Sequence, residues 1–193
     1  MKKIGLTGGI GSGKTYISKI FTSFGVPIFY ADYEANKIVQ ESSNILSWIK
    51  EEFGMGLFKK DILDRKKFAS IIFSQKEKLE EFNSLIHPLV KRYFREWCLD
   101  QDSKYVIKEA AILFEANSHH DLDKVICVSA PIDIRIERVI KRDNLRSEDV
   151  KKRIQNQLSE EDKKERSDYI IINDGKELIL PQILAIHKDI IST

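Results

Sequence analysis

The chain has few cysteines, no long apolar run and no excess of charge of one sign, and each shortage removes a class of protein. Only Cys98 and Cys127 occur in 193 residues, neither in a C-x-x-C pair and each beside apolar residues. That argues against a disulfide framework and for two reduced, buried thiols, as in a cytoplasmic protein. No apolar stretch approaches the ~20 residues of a membrane span. After Met1-Lys2-Lys3 only a few apolar residues precede the first glycines, too short and too glycine-rich a segment for a signal peptide. Thirty-two basic residues stand against 30 acidic ones, a net charge of +2, so there is no footprint for general nucleic-acid binding. His119 and His120, with Asp121 and Asp123, match no zinc-ligand spacing and are expected in an exposed loop. There is no internal repeat or low-complexity linker, and nothing in the sequence bears on oligomeric state.

What is present is an alternation of apolar runs and helical periods. Residues 2–7 read as a buried strand. Ile17, Ile20, Phe21 and Phe24 then recur at helical spacing up to Gly25. Residues 26–30 read as a second strand, followed by a polar helix from about Asp32. From about 44 to 101 helical periods dominate. Asp64 is an expected N-cap, and one helix carrying Leu79, Phe82 and Ile86 is expected to stop at His87-Pro88 before another begins. Strands are expected again at 104–109, 124–129 and 168–172. Leu180, Ile183, Leu184, Ile190 and Ile191 mark a closing helix, with His187 on its apolar side. Five strands alternating with helices predict an α/β fold with a parallel sheet covered on both faces.

Gly8-Gly9-Ile10-Gly11-Ser12-Gly13-Lys14-Thr15 fits the phosphate-loop pattern G-x-x-x-x-G-K-[ST], between an apolar strand and an amphipathic helix. Glycines let the backbone approach phosphate oxygens with no Cβ in the way. Successive N–H groups, including that of Tyr16, can form an anion nest at a helix amino end. Lys14 can reach the β- and γ-phosphates of ATP, and the Thr15 hydroxyl can ligate Mg²⁺.

No N-K-x-D element follows a late strand, which argues against a GTPase, and Lys108-Glu109 is a weak match to an acidic Walker-B strand end. A small kinase needs a phosphate loop, an acceptor-binding insertion and a basic lid, and all three have candidates in order. Arg135, Arg138, Arg142, Arg146 and Arg153 make the lid candidate, with Arg138 and Arg142 favoured to touch ATP. A solvated helix face diluted by Glu148, Asp149, Glu160, Glu161 and Asp162 is the competing reading. Asp32, just past the second strand, is either an N-cap or a carboxylate that orients the attacking hydroxyl, accepts its proton or holds Mg²⁺ through water.

With those residues in place, the chain resembles the dephospho-CoA kinase family over nearly its whole length. Leu6 to Thr15 is similar to that family's phosphate loop, including Thr7-Gly8-Gly9-Ile10. Ala31-Asp32 resembles the end of its Asp-Ala-Asp element, His87-Pro88 its His-Pro step, and Ile112-Leu113-Phe114-Glu115 its Pro-Leu-Leu-Phe-Glu segment. Arg138, Arg142 and Asp143 resemble its lid entrance, Arg153-Ile154 with Gln157 its Arg-Ile-x-x-Gln, and Asp168 to Asn173 with Gly175 its final strand and base loop. The chain departs from the pattern at Tyr30 in place of the first Asp, Ala111 in place of Pro, and Asp174 where Asn is common.

The resemblance implies a single P-loop kinase domain over 1–193, a three-layer sandwich with an acceptor-binding insertion at about 44–101 and a lid at about 138–166. It implies ATP and dephospho-CoA as substrates, the ribose 3′-hydroxyl as acceptor, and Mg²⁺. Asp32, Lys14 and Arg138 would carry catalysis. Gly8, Gly9, Gly11, Ser12, Gly13, Lys14, Thr15, Tyr16 and Arg142 would hold ATP. Asp32, His87, Leu113 and Glu115 would shape the acceptor site. Another small-molecule kinase, or a nucleotide-binding module without turnover, are the competing functions.

Overall fold

Short apolar runs become strands here, and five of them line up in one sheet. The computed structural model describes residues 1–192. In chain order its elements are β1 (Lys2–Thr7), α1 (Lys14–Ser23), β2 (Ile28–Tyr30), α2 (Ala31–Glu41), α3 (Ser43–Phe53), β3 (Phe58–Lys59), β4 (Ile62–Leu63), α4 (Arg65–Ile72), α5 (Lys76–Leu99), β5 (Tyr105–Glu109), β6 (Lys124–Ser129), α6 (Ile132–Asp143), α7 (Ser147–Gln155), α8 (Glu160–Glu165), β7 (Tyr169–Ile172) and α9 (Ile179–Ser192). They fall into two compact units, one of Met1–Tyr30 with the chain from Trp97 onward, the other Ala31–Glu96.

The first unit holds a sheet of order β2-β5-β1-β6-β7. Every pairing is parallel. Strands covered on both faces need apolar residues at successive positions, and β5 is buried at each of its residues. Ile4, Leu6, Ile107, Ile126, Val128 and Ile171 of the sheet pack with Ile17 and Phe21 of α1 and with Ile183, Ile186 and Ile190 of α9. Each such side chain contributes roughly 1.5–3 kcal/mol of apolar burial. Gly5 is glycine because Leu113 crosses β1 there, its Cδ2 atom only 2.7 Å from where a Cβ would sit. With β1 central, the chain passes first to one side of it (β2, β5) and then to the other (β6, β7). The loop after β1 therefore lies at the switch point on the carboxyl edge, where ligands of such sheets bind.

The second unit is mostly helical. Trp48, Phe53, Phe68 and Phe82 form a chain of ring contacts with centroids 5.2–5.8 Å apart. Asp64 caps α4 by accepting from the Lys67 N–H at 3.1 Å. Two expectations are corrected. A small antiparallel hairpin, β3–β4, turns on Lys60 and Asp61, whose φ values of 49° and 62° suit a tight two-residue turn. Its strands are too short to leave an alternating pattern. Nor does the chain break at His87-Pro88, because α5 runs through Pro88. Pro88 cannot donate to the carbonyl four residues back, but Ile86, Val90 and Phe94 stay in phase on one buried face. Packing along that face holds the helix together across the missing bond.

Candidate active site

The loop from Gly8 to Gly13 leaves β1 and enters α1 through backbone that favours glycine. Gly8, Gly11 and Gly13 have φ of 148°, 81° and 99°. Space forbids a side chain as firmly. A Cβ on Gly8 would lie 2.3 Å from the Val128 carbonyl oxygen, and one on Gly11 2.4 Å from that of Arg135. The amides of Gly11, Gly13 and Thr15 have no hydrogen-bond partner among the described residues. That is the condition for a nest that accepts anionic oxygens. The Tyr16 N–H, expected in the nest, instead donates to the Gly13 carbonyl at 3.0 Å. Lys14 is buried, and its Nζ donates to the carbonyls of Gly8 and Gly9 at 2.9 and 3.3 Å. Thr7 Oγ1 and Ser12 Oγ are buried hydroxyl oxygens without a partner among the described residues, both in or beside this loop. Thr15 is exposed in the first turn of α1.

Side chains from distant segments hold the outside of the loop. Arg135 donates from Nε to the Ile10 carbonyl at 3.0 Å and from Nη1 to Glu160 Oε2 at 2.9 Å. Glu160 also accepts from Ser129 Oγ. Gln157 Oε1 accepts the Ile10 N–H at 2.8 Å. Asn173, just past β7, donates from Nδ2 to the Ser12 carbonyl at 2.7 Å. Arg138 donates from Nη2 to the Asn173 carbonyl and Oδ1 at 3.1 and 3.3 Å, and from Nη1 to the Gly11 and Ser12 carbonyls at 3.5 and 3.4 Å. Sequence reasoning left Asn173 and Glu160 without a role at the loop. One signal was available for the arginines: residues 135, 138 and 142 share one face of α6, at i, i+3 and i+7.

Other expected site residues lie elsewhere. Arg142 is engaged by its neighbour Asp143, Nε to Oδ1 at 2.7 Å, and that hydrogen bond holds the Asp143 carboxyl below its ordinary range. Leu113 is fully buried against Gly5, so it shapes the chain after β5 from within. Glu115 Oε1 accepts from Lys163 Nζ and from the Leu158 N–H, each at 2.9 Å, and Lys163 Nζ also reaches the Ala111 carbonyl at 2.9 Å. Asp32 and His87 belong to the second unit. Asp32 sits inside the first turn of α2, not ahead of it, so the helix begins without it as a cap. His87 lies mid-helix in α5. Tyr30 ends β2 with its hydroxyl 3.3 Å from Ser18 Oγ, which donates in turn to the Thr15 carbonyl. Glu109 is a buried carboxylate at the carboxyl end of β5, in register with Leu6 and Tyr30. Among the described residues no His, Cys, Asp or Glu cluster of metal-site size occurs, and His187 packs on Phe24 and bonds Tyr105 through Nδ1 at 2.7 Å.

A parallel five-stranded sheet with this glycine loop and basic helix face at its switch point defines a P-loop kinase. A family model described as dephospho-CoA kinase matches residues 2–178. A dephospho-CoA kinase of Bacteroides fragilis is 38% identical over 183 residues, 94% of this chain and 89% of the relative. A crystal structure from Thermus thermophilus aligns with a TM-score of 0.85 at 29% identity, covering 99% of this chain and 96% of that one. The dephospho-CoA kinase of Campylobacter jejuni aligns with a TM-score of 0.72 at 28% identity, covering 98% and 97%. This chain belongs to the dephospho-CoA kinase family.

Proposed function

We propose that the chain transfers the γ-phosphoryl group of ATP to the ribose 3′-hydroxyl of dephospho-CoA, giving CoA and ADP, the last step of coenzyme A synthesis. The observation that carries this reading is the open nest between Gly8 and Thr15 in a chain of this family. The free amides and the Lys14 ammonium take the β- and γ-phosphate oxygens, with Lys14 exchanging the Gly8 and Gly9 carbonyls for phosphate. Arg138 and Arg142, four residues apart on α6, are assigned the positive charge that meets the transferring group. Asp32 orients the acceptor hydroxyl and takes its proton as the oxygen–phosphorus bond forms and the β,γ bridge breaks. His87, Leu113 and Glu115 are assigned to acceptor binding.

Mg²⁺ suits the donors present, because the Thr15 hydroxyl stands exposed at the helix start beside the open amides. When bound it neutralises charge on the β- and γ-oxygens. In one domain, residues 44–101 take the acceptor and 138–166 act as the lid that excludes water. We place the protein in the cytoplasm, in keeping with two buried free thiols.

The test is an ADP-release assay over a panel of acceptors, with phosphorus NMR of the product. Turnover with dephospho-CoA and a new 3′-phosphate monoester is expected. Turnover with nucleosides or nucleotides and none with dephospho-CoA would overturn the assignment.

A further inference from the structure

Residue Ile10 sits at the crest of the phosphate loop and is held by both of its backbone polar groups. Its N–H donates to Gln157 Oε1 at 2.8 Å, and its carbonyl accepts from Arg135 Nε at 3.0 Å. Neither partner is free to drift. Arg135 is 5% exposed and anchored to Glu160, which is itself bonded to Ser129 at the end of β6. Gln157 belongs to the turn between α7 and α8, and the next residue, Leu158, is tied through its N–H to Glu115. The Arg135 guanidinium also lies flat against Gly9, where a Cβ would come within 2.1 Å of Nη2.

A loop with glycine at residues 8, 9, 11 and 13 loses more backbone entropy on ordering than the same loop with side chains at those positions would. Unheld, it would have to be ordered by each arriving ligand, and affinity would fall accordingly. The amides of Gly11, Gly13 and Thr15, which have no hydrogen-bond partner among the described residues, are left for the ligand.

We infer that Gln157 and Arg135 are positioning residues that pre-form the phosphate loop by gripping the Ile10 backbone, and that they set ATP affinity without taking part in transfer. This rests on the reading of the loop as the ATP site. Because Gln157 closes the segment after α7, the same grip roots the carboxyl end of that helix on the loop. The second residue of the pair has a distinct chemical demand. Only a forked guanidinium reaches the Ile10 carbonyl and the Glu160 carboxylate together.

The experiment uses the full chain and ATP with Mg²⁺, measuring Kd by calorimetry, KM and kcat for both substrates, and Tm. Gln157→Leu keeps the bulk and removes the acceptor oxygen. ATP Kd and KM are expected to rise roughly tenfold, about 1.4 kcal/mol, with kcat and the acceptor KM within about twofold. Arg135→Lys keeps the charge but cannot fork, and should weaken ATP about fivefold. It carries the test if Gln157→Leu proves too unstable to assay. Unchanged ATP Kd in a folded Gln157→Leu or Arg135→Lys variant would overturn the inference, as would loss of kcat with ATP KM unmoved. Wild-type protein that binds no ATP would instead overturn the underlying ATP reading.

Discussion

Lys163 offers a quantitative test of how the segment after α7 is anchored. Its side chain is 1% exposed and its ammonium bonds Glu115 Oε1 and the Ala111 carbonyl. Among the described residues Glu115 has one further donor, the Leu158 N–H, while its Oε2 is buried without a partner. Lys163→Met keeps the apolar stem and removes the charge. The half-buried Glu115 carboxylate is then left with the Leu158 N–H, and the Ala111 carbonyl loses the Lys163 ammonium. Breaking a fully buried pair from one side costs about 3–5 kcal/mol, and with Glu115 20% exposed this pair falls toward the lower end. Against a total stability of roughly 5–15 kcal/mol, that is a large fraction. Replacing both partners, in Lys163→Met with Glu115→Leu, removes the stranded charge and leaves mainly the Leu158 amide unsatisfied, a cost of about 1–3 kcal/mol. The double variant should therefore be more stable than Lys163→Met alone. Urea unfolding followed by circular dichroism reads Lys163→Met, Glu115→Leu and the double variant against wild type. A Lys163→Met variant within about 1 kcal/mol of wild type, or a double variant as weak as the two single losses added, would refute the reasoning. Glu115→Gln separates anchoring from substrate contact. Loss of stability with an unchanged acceptor KM marks an anchor, and a raised acceptor KM at full stability marks a ligand.

Three other outcomes are expected. Lys14→Met should lower kcat by at least 10²–10³-fold, the scale of removing one preorganised charge-stabilising donor, and a near-normal rate in a stopped ADP-release assay would contradict the phosphate placement. Asp32→Asn should bind ATP within about twofold of wild type yet lose roughly 10²–10⁴ in kcat; an equal loss in affinity and rate would point to a metal or folding role. Burial, followed by the Glu160 charge, pushes the Cys127 thiol up to about 11. At pH 8 its thiolate fraction is then about 200-fold below that of an ordinary thiol, so native Cys127 should resist iodoacetamide while the urea-unfolded chain reacts. The sign for stability follows: unfolding frees a thiol of pKa about 8.5, which ionises while the folded one stays neutral, so stability falls as pH rises from there toward 11. Rapid alkylation of the native thiol at pH 8 would show it to be accessible.

The parts of this protein that were legible early are the local ones. The glycine spacing from Gly8 to Gly13, the helical period of Ile17, Phe21 and Phe24, the cap at Asp64 and the five apolar runs each act over a few residues, through φ preferences and face periodicity. Where a local rule met a stronger distant force it failed. Proline preference argued for a break at Pro88, but the buried stripe of Ile86, Val90 and Phe94 kept α5 continuous. The two-residue strands of the β3–β4 hairpin were too short to have a period at all.

Composition and motif spacing determined that there would be a phosphate loop on an α/β sheet, because strand, turn and helix preferences are written into neighbouring residues. Which side chains hold that loop was decided only by the tertiary structure. Gln157 meets Ile10 across 147 positions and Asn173 meets Ser12 across 161. Glu115 likewise turns toward Lys163, a contact set by where the chain after β5 passes the start of α8. Those meetings follow from the strand order β2-β5-β1-β6-β7, which brings the ends of β6 and β7 beside the loop after β1. Parallel crossovers join segments remote in sequence, and a hydrogen bond between such segments leaves no mark on the composition of either one.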